Sequence, residues 1–310
     1  MTPLSPDTLH GNWATLILAT ADDGSMDYSR LSDEMDALVA SRPDGIYSNG
    51  TACEFYTQSR EEFISISGML AQKCEKAGVP FQIGVSNPSP QESLWRLRAV
   101  RDLHPGAVQV ILPDWFPVND SAAVDFLTVM ASEAGDIPLV LYNPPHAKRV
   151  LEPEKWALLK AAVPSLIGVK VFDNNCSPEW YRRMNASKEG ISVFVPGHHL
   201  ATGIVNGADG AYSNVACINP TAAQKWTDMM RTDMESALEL ESRIQTFMRE
   251  CIDPFIIVHG YPNHACDRFM VLVGGWADVG SRLRWPYSSI PVSEVGRVRA
   301  RAHDIIPEFV

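Results

Sequence analysis

The sequence predicts an α/β fold, a closed (β/α)8 TIM barrel followed by a C-terminal helical extension. Short apolar segments with strand-like composition recur along the chain of 310 residues, and each precedes a longer stretch with amphipathic helical spacing. Eight such segments occur, and their interiors carry little charge, as expected for parallel strands that are buried on both faces. No GxGxxG motif follows the first segment, which argues against an open Rossmann sheet.

The predicted strands begin about 18 to 35 residues apart, which is roughly the length that one strand, one helix and two loops need. Helix starts support the same division, because Ser59 and Ser89 each stand three residues before a glutamate, as a capping box requires. In chain order, the strands are predicted over residues 13–20, 45–48, 80–84, 107–112, 138–142, 166–171, 192–196 and 210–214.

After Asn214 the pattern changes to helices alone, predicted near residues 221–231, 234–249, 267–278 and 291–306. No Gly/Ser-rich or Pro-rich linker separates these helices from the barrel. We therefore predict a catalytic barrel domain over residues 1–220 and a helical extension over residues 221–310 that packs against it.

Charge and composition limit the classes of function. The formal net charge of −11 argues against a nucleic-acid partner, since nucleic-acid-binding proteins present clustered Lys and Arg to phosphates. The N-terminal residues lack the basic start and apolar run of a secretory signal, and no apolar stretch reaches the roughly 18 residues that a bilayer span needs. We expect a cytoplasmic protein with no membrane partner.

The six cysteines lack paired spacing, which favours reduced thiols over a disulfide framework. Cys251, His259, His264 and Cys266 are the nearest approach to a metal cluster, but their irregular gaps match no zinc-binding spacing. We therefore predict no metal site.

Lys170 is the unusual residue of the predicted barrel, because it lies among apolar neighbours late in the sixth strand. Burial lowers the pKa of a lysine, and a neutral amine is the form that attacks a ketone to give an iminium. The end of a barrel strand is also where active sites form. Position alone leaves a second interpretation open, in which Lys170 faces outward and is satisfied between helices.

Two further segments reach the same predicted end of the barrel. Tyr142 ends the fifth strand, where a phenol can pass protons to and from a carbonyl, or else is a core tyrosine bonded to backbone. After the second strand, residues 49–54 form a turn of mostly small residues whose amides can converge on an anion such as a carboxylate.

Together these segments resemble the dihydrodipicolinate synthase and N-acetylneuraminate lyase family, pyruvate-linked class I aldolases on a TIM barrel. The GTTGE turn of the family is similar to residues 50–54, and its YNxP motif to residues 142–145. Its G-[IV]-K strand is similar to residues 168–170, and its GAxG strand entry to residues 207–210. The four motifs occur in the family's order and at suitable spacing, over most of the chain.

The resemblance implies a role for each matching residue. Lys170 would form the Schiff base, Tyr142 would shuttle protons, and Thr51 would supply a hydroxyl to the relay. No metal or separate cofactor would be needed, because the iminium itself polarises the substrate. The predicted substrate contacts are Gly50, Thr51, Ala52, Tyr212, His198 and His199, the last two being either substrate contacts or solvated loop histidines.

This chain departs from the family pattern at several positions that determine substrate specificity in the family. Ala52 replaces a second threonine, and Ala147 with Lys148 stands where the synthases carry an arginine that grips a carboxylate. Residues 113–116 differ from the synthase segment that contributes a tyrosine to a neighbouring subunit. His198 and His199 stand where lyases acting on sialic acid have acidic residues.

The leading hypothesis is a Schiff-base lyase or aldolase acting on pyruvate or another 2-oxo acid, including a sugar-derived one, with an aldehyde as the other partner. Alternatives are dehydration of a 2-oxo-3-deoxy sugar acid by the same chemistry, or a barrel that binds a 2-oxo acid without turnover. A phosphate-binding barrel near Gly197 and Gly210 is a further alternative. The resemblance implies a homo-oligomer, either a dimer or a tetramer.

Overall fold

The computed structural model describes residues 1–310 and confirms the predicted barrel. Eight parallel strands close on one another in chain order, with β8 paired to β1. The strands are β1 (Gly11–Thr15), β2 (Gly45–Ser48), β3 (Phe81–Gly84), β4 (Ala107–Val110), β5 (Leu139–Asn143), β6 (Leu166–Val171), β7 (Ser192–Pro196) and β8 (Gly210–Ser213).

Thirteen α-helices surround and extend the barrel. None of them combines the length and the apolar content that crossing a lipid bilayer requires. A π-helical segment, Met248–Ile252, joins α10 to α11. The helices are α1 (Tyr28–Ala40), α2 (Arg60–Ala77), α3 (Pro90–Val100), α4 (Asp120–Ala134), α5 (Glu154–Ala162), α6 (Pro178–Asn185), α7 (Leu200–Val205), α8 (Val215–Ile218), α9 (Pro220–Thr232), α10 (Met234–Phe247), α11 (Asp253–Ile257), α12 (Asn263–Gly274) and α13 (Val295–Ile305).

Strand 1 is the main correction to the predicted strands, since it ends at Thr15 and not at residue 20. The next four residues are fully buried but leave the sheet. The Ile17 N–H donates to Glu34 Oε1 of α1 at 2.7 Å, and the Leu18 carbonyl accepts from Arg268 of α12. The apolar run thus contains strand residues followed by residues that are buried beneath helices. Composition alone does not distinguish these two kinds of buried residue.

The helix predictions need three corrections. The capping box at Ser59 is present, but at Ser89 only half of it forms, because the Glu92 carboxylate pairs with Arg60 at 2.8 Å instead. Helix α12 begins before residue 267 and ends at Gly274, because Gly275 takes a left-handed conformation that terminates it. The short helices α8 and α11 were not predicted.

Side chains alternate between the two sides of the barrel wall, and this alternation positions the site. The outward-facing residues join a core cluster of 79 buried residues between the strands and the helices. The barrel interior is filled by a smaller cluster of Leu9, Trp13, Tyr47, Ala107, Val140, Ile167, Phe194 and Tyr212.

The C-terminal helices pack against the barrel through buried polar bonds as well as apolar contacts. Arg268 of α12 pairs with Glu54, in the turn after β2, at 2.9 Å, and both side chains are almost fully buried. Gln224 of α9 accepts a hydrogen bond from Asn12 of β1 at 3.1 Å. The division into residues 1–220 and 221–310 stays a prediction; its boundary falls in the first turn of α9.

Candidate active site

Lys170 and Tyr142 lie side by side because β5 and β6 are neighbours in the barrel. The two residues are direct partners in the parallel register of these strands. The Lys170 Nζ atom lies 4.3 Å from the centroid of the Tyr142 ring, and both side chains are half-buried. Both line one cavity at the C-terminal mouth of the barrel, so Lys170 faces this mouth and not the outer helices.

Two more tyrosine rings lie near the Lys170 amine, so that three aromatic rings surround it. The Nζ atom donates to the Tyr47 hydroxyl at 3.2 Å and lies 5.2 Å from the centre of that ring. The Tyr212 ring is 5.3 Å away, and its hydroxyl donates to Gln82 Oε1 at 2.6 Å. Aromatic faces attract cations, so these three rings favour an ammonium or an iminium at this position. Tyr47 was not predicted, although strand alternation in β2 could have identified it.

Burial shifts the proton affinity of both groups in the direction that Schiff-base chemistry needs. It lowers the pKa of Lys170 to about 8, opposed by the negative charge of Asp267. It raises the pKa of Tyr142 to about 12, opposed by the nearby Thr51 side chain. Near neutral pH a fraction of the amine is therefore unprotonated, while the phenol keeps its proton.

The turn after β2 offers two free backbone donors. The Cys53 N–H donates to the Gly50 carbonyl at 3.1 Å, and the Glu54 N–H to the Thr51 carbonyl at 3.0 Å. The N–H groups of Thr51 and Ala52 have no acceptor within the protein. Two adjacent free amides are suited to hold a carboxylate.

Gly50 is required in this turn by close packing. A Cβ atom built on it would lie 2.6 Å from the Tyr47 ring. At the other end of the turn, Glu54 is held by Arg268 and accepts from the Arg284 N–H at 2.9 Å. The predicted anion-binding turn is thus fixed by the barrel on one side and by the C-terminal helices on the other.

The cavity around Lys170 has a volume of about 280 Å³ and brings together most of the predicted site residues. Its roof comes from the C-terminal helices, through residues such as Asp253, Asn263 and Asp267. The predicted residues that line it are Thr51, Ala52, Tyr142, Lys170, His198 and Tyr212.

Asp267 and Asp253 are the two acidic residues of this cavity that the sequence did not predict, and Asp267 is the one that acts on Lys170. Burial raises the pKa of its carboxyl to about 7, opposed by Lys170. The carboxylate makes no hydrogen bond or ion pair within 4 Å and faces the cavity from α12. Nothing in the helical pattern indicates this location, because the pattern does not say which strand ends the helix will cover.

The two predicted histidines have different surroundings, and neither is a solvated loop residue. His198 lines the cavity, and its Nδ1 lies 3.0 Å from the Asn214 amide nitrogen. Burial lowers the pKa of His198 to about 4, so the ring is neutral near pH 7. His199 is buried outside the cavity lining, with Nδ1 2.9 Å from Asp173 Oδ1.

One group of side chains has donor atoms close enough to share a metal ion: Asp173, Cys176 and His199, within 4.8 Å of one another. The Asp173 carboxylate already accepts from the Tyr181 hydroxyl at 2.9 Å and bonds His199. The group lies outside the Lys170 cavity. The residues considered as a metal cluster from the sequence, Cys251, His259, His264 and Cys266, do not converge.

Comparison with known proteins supplies the family. Residues 9–260 match the Dihydrodipicolinate synthetase family. The chain belongs to this family. The 4-hydroxy-tetrahydrodipicolinate synthase of Neisseria gonorrhoeae is 24% identical over 294 residues, which are 95% of this chain and 97% of that protein. The synthase of Thermomicrobium roseum is 31% identical over 148 residues, 47% of this chain and 48% of its own.

Solved structures of this family share the fold. A prophage protein of the dihydrodipicolinic acid synthase family from E. coli K12, solved in complex with pyruvate, superposes with a TM-score of 0.83 at 18% identity, covering 96% of this chain and 98% of its own. A catalytic lysine mutant of the Ruminococcus gnavus sialic acid aldolase has a TM-score of 0.83 at 18% identity, with both chains fully covered.

Membership in the dihydrodipicolinate synthetase family makes this chain an enzyme, a pyruvate-dependent class I aldolase or lyase. Enzymes of the family use a Schiff-base lysine and pyruvate without a separate cofactor. The alternative of a barrel that binds a 2-oxo acid without turnover is therefore not retained.

The structure also shows how this family member differs at the position of the synthase arginine. Ala147 has no polar side chain, and the Lys148 ammonium donates to the Trp115 carbonyl at 2.6 Å. The guanidinium of Arg149 donates to the Val118 carbonyl at 2.6 Å and to Asp120. Both cations thus already bond groups of the segment after β4, and Arg149 is also paired with a carboxylate.

Proposed function

We propose that Lys170 forms an imine with pyruvate or another 2-oxo acid and that the enzyme cleaves or forms a carbon–carbon bond next to the resulting iminium. Tyr142 moves the protons, with Thr51 in the relay. The free amides of Thr51 and Ala52 hold the carboxylate of the 2-oxo acid, beside Gly50. Tyr212 and His198 border the same cavity, whereas the ring of His199 is buried outside it and bonds Asp173.

The proposed reaction follows from the proton affinities of the groups. The unprotonated fraction of Lys170 attacks the ketone, the carbinolamine loses water, and a protonated imine forms. The iminium accepts the electron pair of a breaking C–C bond, which gives an enamine; the reverse step is attack of that enamine on an aldehyde. Tyr142, which is protonated near neutral pH, donates a proton to the hydroxyl that leaves the carbinolamine. In the condensation direction it donates a proton to the oxygen of the aldehyde.

The observation that carries this proposal is the register pairing of Tyr142 with Lys170 beside two free amides. It places a phenol and an amine of depressed pKa on adjacent strands, next to a ready binding site for the carboxylate. An outward-facing lysine would have none of these neighbours.

Reductive trapping tests the proposal. Incubation with pyruvate followed by borohydride is expected to add one reduced pyruvate to Lys170, located by peptide mass spectrometry. The Lys170→Arg variant should gain no adduct, because its guanidinium stays charged. Absence of an adduct in the unmodified enzyme, with pyruvate and with larger 2-oxo acids, would refute the assignment.

Replacing the phenol separates binding from proton transfer. Tyr142→Phe should still form the trapped adduct, while turnover falls by about 10²- to 10⁴-fold, the usual contribution of a positioned acid or base. Turnover close to that of the unmodified enzyme would remove Tyr142 from the mechanism.

A second candidate reaction is dehydration of a 2-oxo-3-deoxy sugar acid through the same imine. Asp267 favours it, because a carboxyl with a pKa of about 7 in the cavity can protonate a departing hydroxyl. Product analysis separates the two reactions, since dehydration retains every carbon whereas aldol cleavage releases an aldehyde.

We also propose that the enzyme is a homo-oligomer, a dimer or a tetramer. Two adjacent aromatic side chains in the loop after β4 are exposed, Trp115 to 85% and Phe116 to 78%. Such a patch is typical of a subunit contact. The cytoplasmic location stays a prediction.

A further inference from the structure

A second and larger cavity adjoins the Lys170 cavity. It has a volume of about 800 Å³, and Thr51 and Tyr142 line both cavities. The proposed proton shuttle thus stands where the two spaces meet. Because the aldehyde partner must lie beside Tyr142 and beyond the 2-oxo acid, the second cavity is the space open to it.

Several aromatic side chains line this cavity. The Tyr56 ring contacts the rings of Phe55 and Tyr287 edge to face, and its centroid lies 5.5 Å from each of theirs. The Tyr56 hydroxyl is already bonded to His264 Nε2 at 2.7 Å, and Tyr261 lines a further side. We call the space lined by these rings the aromatic compartment. Preformed aromatic walls favour a flat apolar guest, which they meet by stacking or edge contacts.

The aromatic compartment has no free positive charge for an anionic guest. Burial lowers the pKa of His264 to about 4 and also lowers the pKa of His146, so both rings are neutral near pH 7. Arg149, the only Lys or Arg in the lining, donates to Val118 and Asp120. The remaining charged group is the carboxylate of Asp114, which repels anions.

We propose that the aromatic compartment binds an uncharged aryl group, so that the aldehyde partner of the reaction is an aryl aldehyde. This inference rests on the proposed function and replaces a sugar-derived partner, because the hydroxyls of a sugar would lose water wherever they met the aromatic faces. Size is not limiting, because a dry cavity of about 150 Å³ already holds benzene.

Cleavage of such a substrate needs neither an oxidant nor a reductant. A 4-hydroxy-2-oxo-4-arylbutanoate forms an iminium at C2 with Lys170 and releases one water. Loss of the proton from the 4-hydroxyl breaks the C3–C4 bond, the aryl aldehyde departs, and the electron pair forms the enamine. Protonation at C3 and hydrolysis, which takes up one water, release pyruvate and free Lys170.

A substrate comparison tests the inference. The enzyme is given 4-hydroxy-2-oxo-4-phenylbutanoate, 4-hydroxy-2-oxoglutarate and 2-oxo-3-deoxygluconate in turn, and pyruvate release is measured. We expect kcat/KM to be about 10-fold or more higher for the phenyl compound, as a matched apolar pocket gives. Equal or faster cleavage of either other compound would overturn the inference.

Variants of residues that line the aromatic compartment provide a second test. Tyr287→Ala should lower kcat/KM for the phenyl compound by about 10-fold through lost ring contact. Tyr28→Ala is the matched control, since Tyr28 is 41% exposed on α1 and Tyr287 is 44% exposed. Ala147→Arg should move the preference toward 4-hydroxy-2-oxoglutarate by supplying a guanidinium. A loss shared by both tyrosine variants, or no change of preference in Ala147→Arg, counts against the aryl assignment.

Failure of this inference is distinguishable from failure of the proposed function. Every variant is also trapped with pyruvate and borohydride. A normal Lys170 adduct without a preference for the phenyl compound overturns the aryl assignment alone, whereas no adduct in the unmodified enzyme overturns both. A crystal structure in which Phe116 of a second copy fills the compartment would also overturn the aryl assignment.

Discussion

At the scale of single residues, the reactivity of Lys170 depends on what surrounds its amine. Burial disfavours the ammonium, while three aromatic faces and the Asp267 carboxylate favour it. Burial is the larger effect, so the pKa falls to about 8 and not to the much lower values of isolated buried lysines. This balance leaves a usable fraction of free amine, and the same surroundings suit the cationic iminium of the proposed mechanism.

The pH dependence of adduct formation reports this balance. The rate of borohydride-trapped adduct formation with pyruvate should rise from pH 6 and level off above about pH 8, because the amine reacts only when unprotonated. Trapping at fixed times across this range measures it. A rate that keeps climbing through pH 10 would mean that the pKa of Lys170 is not depressed.

Asp267 should raise the midpoint of this pH dependence, because its negative charge favours the ammonium form of Lys170. In Asp267→Asn the midpoint should move to lower pH, and the adduct should form about 3- to 10-fold faster at pH 7. Asp253→Asn is the matched control, since Asp253 lines the same cavity but does not shift the pKa of Lys170. Equal midpoints in both variants and the unmodified enzyme would contradict this role.

At the scale of elements, the turn after β2 is held in place by a helix more than 200 residues away in the chain. Arg268 of α12 donates to Glu54 and also to the carbonyls of Leu18, Val279 and Gly280. Burial raises the pKa of Glu54 and lowers that of Arg268, each opposed by the partner's charge. The pair therefore depends on its complete set of hydrogen bonds.

Breaking this pair should be costly. Arg268→Met leaves the Glu54 charge buried without its partner, and we expect it to lower the free energy of unfolding by about 3–5 kcal/mol. Arg301→Met, which breaks an exposed pair with Glu250, should lower the free energy of unfolding far less, because solvent screens exposed ion pairs. Urea denaturation followed by circular dichroism measures both, and similar losses would show that burial of the first pair is unimportant.

At the scale of the whole molecule, the site is shared between the barrel and the helices that follow it. The barrel supplies the amine, the phenol and the free amides, while the C-terminal helices supply the roof of the Lys170 cavity and part of the aromatic compartment. Truncation after the eighth strand would open both spaces to water and remove Asp267. Both cavities therefore depend on the barrel loops and on the C-terminal helices together.

Association of subunits is a property of the whole molecule that its surface predicts. Trp115→Asp should weaken assembly, because it removes a large exposed apolar surface and replaces it with a polar side chain. The matched control is Trp285→Asp, which changes a tryptophan of similar exposure, 89%, elsewhere on the surface. Light scattering after size exclusion gives the mass of each. A monomeric unmodified enzyme would refute the homo-oligomer.

The sequence by itself determined the barrel and the neighbouring pair at its mouth. Eight strand segments predict their own order, because parallel strands in a closed barrel pair in sequence. Tyr142 and Lys170 lie one residue before the ends of consecutive strands, so their proximity follows from local spacing. Strand β1 was extended too far, since residues buried under a helix and residues in a strand have the same apolar composition.

Tertiary structure alone decided how the site is closed and what it admits. Asp267, Asn263 and Tyr287 follow the last strand by about 50 residues or more, and their helical and loop patterns carry no information about which strand ends they will cover. That choice depends on the packing of whole helices on the barrel, including the buried contact of Arg268 with Glu54. The pairing of the amine with the phenol follows from strand order, whereas the closure of the two cavities depends on contacts between distant segments.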